Sequence, residues 1–307
     1  MPKTKSSAKP KTISKRKPSA STALLSHATL ERMFGAFRIP LQADGLILFG
    51  LRGCLPVQSS PGWSAAIKVH SAEVDHVHMR CTLGIWDRRG RRVFAAPGST
   101  VPHKDNAEKA AARKGRAKGR GTNQLEPGFY TDLTKGEHLQ GKRNGHQALR
   151  QTEYRFYRRS STGVPYRESA PLFYGNPYDN LHCGWNLDGK APGFSSAGCV
   201  VVAGMPHCPR REDQPQNLGP WKIFHHLLYA ADQNRFPLLL IPARAALPAL
   251  SERTGPGHGG KATLVFGSEG EEVKALQARL AARGRYRGRI SGRLDARTYR
   301  AWKQPTR

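Results

Sequence analysis

Acidic side chains are scarce in this chain: 22 Asp and Glu stand against 50 Lys and Arg, leaving a formal charge of +28. Such an excess calls for a polyanionic partner, whether nucleic acid, an anionic membrane or an anionic cell-wall polymer, and does not choose among them. Long apolar runs are missing too. No stretch approaches the about 20 residues that a helix needs to cross a bilayer, so no membrane span is expected. The basic N-terminus is followed by no apolar core of about 7–15 residues and no small-residue cleavage site, so an ordinary secretory leader is not expected either. The five cysteines (54, 81, 183, 199 and 208) form no CxxC pair and no dense disulfide spacing, and their odd number leaves at least one thiol free. Hydrophobic content is low at 38%, but 32 glycines and 22 prolines point to many turns rather than wholesale disorder.

What is present falls into segments. Residues 1–25 read as a disordered basic arm: the first 22 carry seven Lys and Arg, no acid and almost no large apolar side chain. That composition buries too little surface to offset the entropy of ordering. Residues 26–250 read as a globular, mainly β domain with few helices. Thr82–Trp86 and Arg92–Ala96 flank an Asp87-Arg88-Arg89-Gly90 turn and predict a hairpin. The stretches 128–133 and 152–159, rich in aromatic and β-branched residues, predict further strands, with a basic loop or short frayed helix over 104–120 between the hairpin and these strands. Pro220 suits a first helical turn ahead of Trp221, Ile223, Phe224, Leu227 and Leu228, and 236–242 suits a short buried strand. A Gly-rich linker is expected over 251–262. Beyond it, a helix is predicted with Ser268 and Glu271 at capping-box spacing, Val273, Leu276 and Leu280 as one stripe, and Gly284 ending it. A second short helix has Asp295 as N-cap, with Tyr299 and Trp302 on one face.

The chemistry-bearing stretch is NLHCGWNLDGKAPGFSSAGCVVVAG, from Asn180 to Gly204. Cys199 follows a glycine at a turn into a valine run, so the backbone can bend there and no side chain just before it blocks approach. A thiol needs a base or a positive neighbour to act as a thiolate, and His182 stands seventeen positions upstream (199 − 182). Backbone N–H groups near Gly198 and Cys199 could serve an oxyanion. The same residues also suit a small buried thiol entering a strand. A zinc set of Cys183, Cys199, His207 and Cys208 has fitting ligand types but no familiar spacing. His76 and His78, alternating on one strand face, suit a zinc peptidase, and His225-His226 a half-exposed helical pair.

Two stretches resemble known families. Residues 263–307, with the pattern G-S-x-G-x-x-V-x-x-L-Q-x-x-L-x-x-x-G and a closing helix, are similar to the small all-α peptidoglycan-binding domain of wall-modifying enzymes, over about 40 residues. From about 82 to 204, His182, Ser196, Gly198 and Cys199, together with TNQLEPGFY (122–130), resemble the signature of L,D-transpeptidases. That resemblance implies an L,D-transpeptidase-like β-sandwich, Cys199 as nucleophile, His182 as general base, and the Cys183 backbone carbonyl orienting the imidazole. Ser196, Ala197, Gly198 and Cys199 would shape the turn and oxyanion hole. Cys183 stands where the family has Gly or Ser, and Val200-Val201 where it has Ile/Val-Arg.

Together these readings predict cysteine-dependent acyl transfer on peptidoglycan stem peptides at the bacterial wall, with no cofactor or metal and no nucleic-acid partner. A zinc-dependent wall peptidase, a phage-type endolysin, and a nonenzymatic binder of wall or nucleic acid are the alternatives. Delivery would then be by lysis or a dedicated secretion apparatus.

Overall fold

The computed structural model describes residues 21–41, 45–113, 121–251 and 263–303. In chain order the elements are β1 (Thr22–Ser26), α1 (His27–Ala36), β2 (Leu46–Arg52), β3 (Cys54–Pro56), β4 (Ala66–Ser71), β5 (Cys81–Asp87), β6 (Arg92–Ser99) and α2 (Lys104–Ala111). There follow β7 (Thr122–Leu125), β8 (Gly128–His138), β9 (His146–Gln151), β10 (Arg155–Ser160), β11 (Leu172–Gly175), β12 (Leu181–Cys183), β13 (Val200–Val202), α3 (Pro220–Tyr229), β14 (Arg235–Pro242), α4 (Ala243–Leu250), α5 (Glu271–Ala282) and α6 (Ala296–Lys303). The protein is mainly β. Eight strands close into a barrel in the order β12-β13-β6-β5-β2-β14-β8-β9, and two three-stranded sheets, β1-β4-β3 and β11-β10-β7, flank it.

The barrel is apolar on both faces, which is why several of its strands read as unbroken hydrophobic runs. Every barrel strand contributes to one interior cluster, including Leu48, Leu83, Phe94, Leu133, Leu149, Leu181, Val200 and Leu238, and α3 adds Trp221, Phe224 and Leu228. The alternate residues Ile47, Phe49, Leu239 and Ile241 face outward and pack under α1 and α4 with Leu30, Phe34, Ala246 and Leu250. The two-residue period of a strand sorts these sets without exception along β2 and β14. The Phe49 ring lies over Gly84, its partner on β5, so closely that a Cβ there would sit 2.1 Å from the ring.

The hairpin expected around Asp87–Gly90 is β5–β6, and the predicted helix at Pro220 and strand at 236–242 are α3 and β14. Other expectations need correction. The arm drawn over 1–25 ends sooner, because Thr22–Ser26 pairs with β4 and Leu25 is fully buried; residues 1–20 lie outside the described residues. Of 104–120, the first part is α2, and 114–120 lie outside the description, as does the linker from 252 onward. The strand expected over 152–159 begins only at Arg155, because Thr152 and Glu153 turn their N–H groups to the Asp132 carboxylate. The capping box of Ser268 and Glu271 does not form. The Ser268 hydroxyl instead donates to the Phe37 carbonyl at 2.7 Å, and Gly270 caps α5. His76 and His78 lie in a turn rather than a strand, where Asp75 accepts from the N–H groups of Val77 and His78.

The helices α5 and α6 pack together through Val273, Leu276, Leu280, Tyr286, Leu294 and Tyr299, and this cluster also takes in Phe156 of β10. Phe129 N–H donates to the Phe266 carbonyl at 2.7 Å, so the segment before α5 is bonded to β8. All five cysteines are free and buried.

Candidate active site

The strands β12 and β13 run parallel with His182 opposite Val201. Paired residues of a ladder share a face, and neighbours in sequence alternate. Leu181, Cys183, Val200 and Val202 therefore point into the barrel, where they join the interior cluster. His182 and Val201 point outward, and Cys199, two residues before Val201, follows them into an outer cluster with Met79, Phe194 and Ala203. This register brings together a histidine and a cysteine seventeen residues apart. A ring nitrogen of His182, a ring nitrogen of His138 and Cys199 Sγ all lie within 4.8 Å of one another.

His182 Nδ1 lies 2.7 Å from the Cys183 carbonyl. A carbonyl only accepts, so Nδ1 carries the proton and Nε2 carries the lone pair. The side chain of Cys183 has a separate role: Sγ lies 3.5 Å from His146 Nε2, and His146 Nδ1–H donates to the Asn144 carbonyl. The Cys183 thiol is accordingly the donor in that contact. His138, at the end of β8, stacks on His182 with ring centroids 4.0 Å apart, and pairs in register with His146 of β9.

The turn before Cys199 is held by side chains. Ser196 Oγ accepts from Gly198 N–H at 3.2 Å and donates to the Cys199 carbonyl at 2.7 Å. His103 N–H and Asn106 Nδ2 donate to the Ser196 carbonyl, and Asn123 N–H donates to the Ala197 carbonyl. Gly198 has φ +149°, and a Cβ there would stand 2.5 Å from Asp179 Oδ1. Only glycine suits that backbone and that contact. Asn123 also acts on the Asp179 side chain, favouring its charged form.

Burial sets the ionisation. It pushes the Cys199 thiol well up, and the Asp179 charge adds to this, while N–H groups of Asn180 and Cys199 itself work the other way. Burial lowers His182 well below the usual histidine range, and His138 and His146 lower it further. Burial likewise takes His138 down to about 4, and raises Asp179 to about 7. The resting pair is a neutral thiol beside a neutral imidazole. Such a pair suits proton transfer during attack rather than a standing thiolate.

All five residues singled out in the sequence, His182, Cys183, Ser196, Gly198 and Cys199, fall in this one region. Of the four-residue zinc set, Cys183 and Cys199 point to opposite faces of the strand pair, and the described metal-competent groups include neither His207 nor Cys208. His225 is occupied with Gln147 and stacks on Tyr229. His138 and His146 were not found from the sequence. They lie 44 and 36 positions before His182 (182 − 138, 182 − 146) and carry no local motif. A cavity of about 1420 Å³ lies elsewhere, lined by Arg52, Glu126, Arg158 and Tyr166 among others and by none of the five site residues. Compared with known family models, with curated proteins and with solved structures, the chain matches none.

Proposed function

We propose that this protein is a cysteine-dependent acyl transferase of peptidoglycan stem peptides, an L,D-transpeptidase or L,D-carboxypeptidase acting at the bacterial cell wall. The observation that carries the reading is the placing of Cys199 and His182 on one face of a parallel strand pair, with His182 Nδ1–H tied to the Cys183 carbonyl. That bond leaves the Nε2 lone pair as the only one on the ring. The charge of +28 suits an anionic wall, and the α5–α6 pair suits the wall-binding module proposed for 263–307. An L,D-transpeptidase-like catalytic fold over 26–250 belongs to the same proposal.

In this mechanism His182 Nε2 takes the Cys199 proton as sulfur attacks the carbonyl of the third stem residue. The C–S bond forms, and negative charge develops on the carbonyl oxygen. Backbone N–H groups of the turn that Ser196 and Gly198 fix supply its hydrogen bonds. The C–N bond to the terminal D-amino acid then breaks, and its amine takes the proton from His182. The thioester passes to an amine, giving a cross-link, or to water, giving trimming.

Incubation of purified protein with muropeptides should change their mass profile, and a thiol blocker or Cys199→Ala should abolish the change while sacculus binding stays intact. A Cys199→Ala protein that still trims or links stem peptides would sink the mechanism.

A further inference from the structure

Around β12 the fold gathers three imidazoles and two thiols. Their ring centroids lie 4.0–5.5 Å apart, and their hydrogen-bond partners are the carbonyls of Asn144 and Cys183 and the Asn180 amide. General-base chemistry uses one of these rings. We propose that His138, His182 and Cys199 form a binding site for a borderline divalent cation, zinc foremost, which caps the Cys199 thiol in the resting protein.

Two imidazoles and a thiolate are ligand types that zinc prefers. With bonds of about 2.3 Å to sulfur and about 2.0–2.1 Å to nitrogen, the edges of a tetrahedral site run to about 3.4–3.6 Å. The three donor atoms lie within 4.8 Å of one another, so a contraction of about an ångström closes the site. Each ring has a lone pair to give. His182 keeps its own on Nε2, and its Nδ1–H bond to the Cys183 carbonyl is the outer-shell contact that metal-binding histidines usually make. The Asn180 oxygen accepts from Gln151 N–H at 3.1 Å, which turns its NH2 toward His138 Nδ1. The lone pair of His138 is therefore on Nδ1, and the cation would replace Asn180 as its partner.

A second set, His146, His182 and Cys183, lies just as close, but its three members are all buried, and Cys183 faces the barrel core. In the first set His138 is half-buried and offers the ion a way in. Binding releases one proton: Cys199 S–H loses H⁺ to solvent, a sulfur–metal bond forms, two imidazoles donate lone pairs, and water fills the fourth position. The cation also gives the buried thiolate a directly bonded positive partner. Binding stands on geometry alone; the masking of a nucleophile rests on the acyl-transfer reading.

Chelator-stripped full-length protein titrated with cobalt(II) should give a thiolate-to-cobalt charge-transfer band saturating at one ion per chain, and zinc should displace it. The band should survive Cys183→Ser, vanish in Cys199→Ser, and in His138→Ala need more metal than the about 10–100-fold excess that losing an outer-shell contact costs. Zinc should also shield Cys199 from alkylation in the unsubstituted chain, read by peptide mass, which requires no variant to fold. Equal labelling with and without zinc, no band, or a band lost in Cys183→Ser and kept in Cys199→Ser would overturn the proposal. Stripped protein that gives the band yet leaves muropeptides unchanged would sink the acyl-transfer reading and leave the cation site standing. Active protein with no band would do the reverse.

Discussion

At the scale of single residues, Asp179 carries the sharpest consequence. Its carboxyl is packed against Gly198, and burial raises it to about 7, against the opposing pull of Asn123, Arg155 and Arg159. An unfolded aspartate titrates near about 3.9, so between these values the folded chain holds a proton that the unfolded chain has lost. Stability from this group therefore falls as pH rises from about 4 to about 7. The buried histidines oppose it. His138, lowered to about 4, and His182, lowered well below the usual histidine range, resist protonation in the fold while an unfolded histidine is protonated below about 6.5, so their contribution rises with pH over much of the same window. In the native protein the single Asp179 slope offsets part of the rise from the histidines. Asp179→Asn keeps the size and shape of the side chain and removes the falling slope. Urea unfolding from pH 4 to 8 should then show stability climbing more steeply to about pH 6.5 than in the native chain. Parallel curves for the two proteins would refute the assignment.

At the scale of elements, the strand pair β12–β13 accounts for a departure seen in the sequence. Val201 stands where the resembling family has arginine, and here it is fully buried among Met79, Phe194 and Ala203. An arginine would be a charge without solvent. Val201→Arg should cost several kcal/mol, on the order of the penalty for burying an unpaired polar group, and lower the urea midpoint or leave the protein insoluble. An unchanged midpoint would mean that β13 is more open than described. The same pair marks what was legible in the sequence. Local signals held for β5–β6, α3 and β14, because turn residues and periodicity act within a few positions. His182 and Cys199 were legible because one loop separates them. Closure of the barrel, and with it the arrival of His138 and His146 beside them, rests on pairing of β9 with β12 across some thirty residues, and no local pattern encodes that. Ser268 shows the converse, a sound local capping signal overridden when its hydroxyl met the Phe37 carbonyl.

At the scale of the whole molecule, net charge and seating of the helical pair act together. On the proposed reading a charge of +28 attracts an anionic wall at long range, and salt screens that attraction over a Debye length of about 8–10 Å at ordinary ionic strength. Retention on purified sacculi should therefore fall steadily as salt rises, equally for the native chain and for Cys199→Ala. Retention independent of salt would assign binding to specific contacts instead. The α5–α6 pair is not merely tethered, since Phe156 and the Phe129–Phe266 bond join it to the barrel sheet and its flank. The five unpaired thiols add an internal clock. Four are at most 3% exposed and Cys199 is 9% exposed, so a small alkylating reagent meets each only as fast as its surroundings breathe. The order in which the five are labelled would time the separate openings of barrel, flanking sheet and the turn at Cys199 within one unmodified chain.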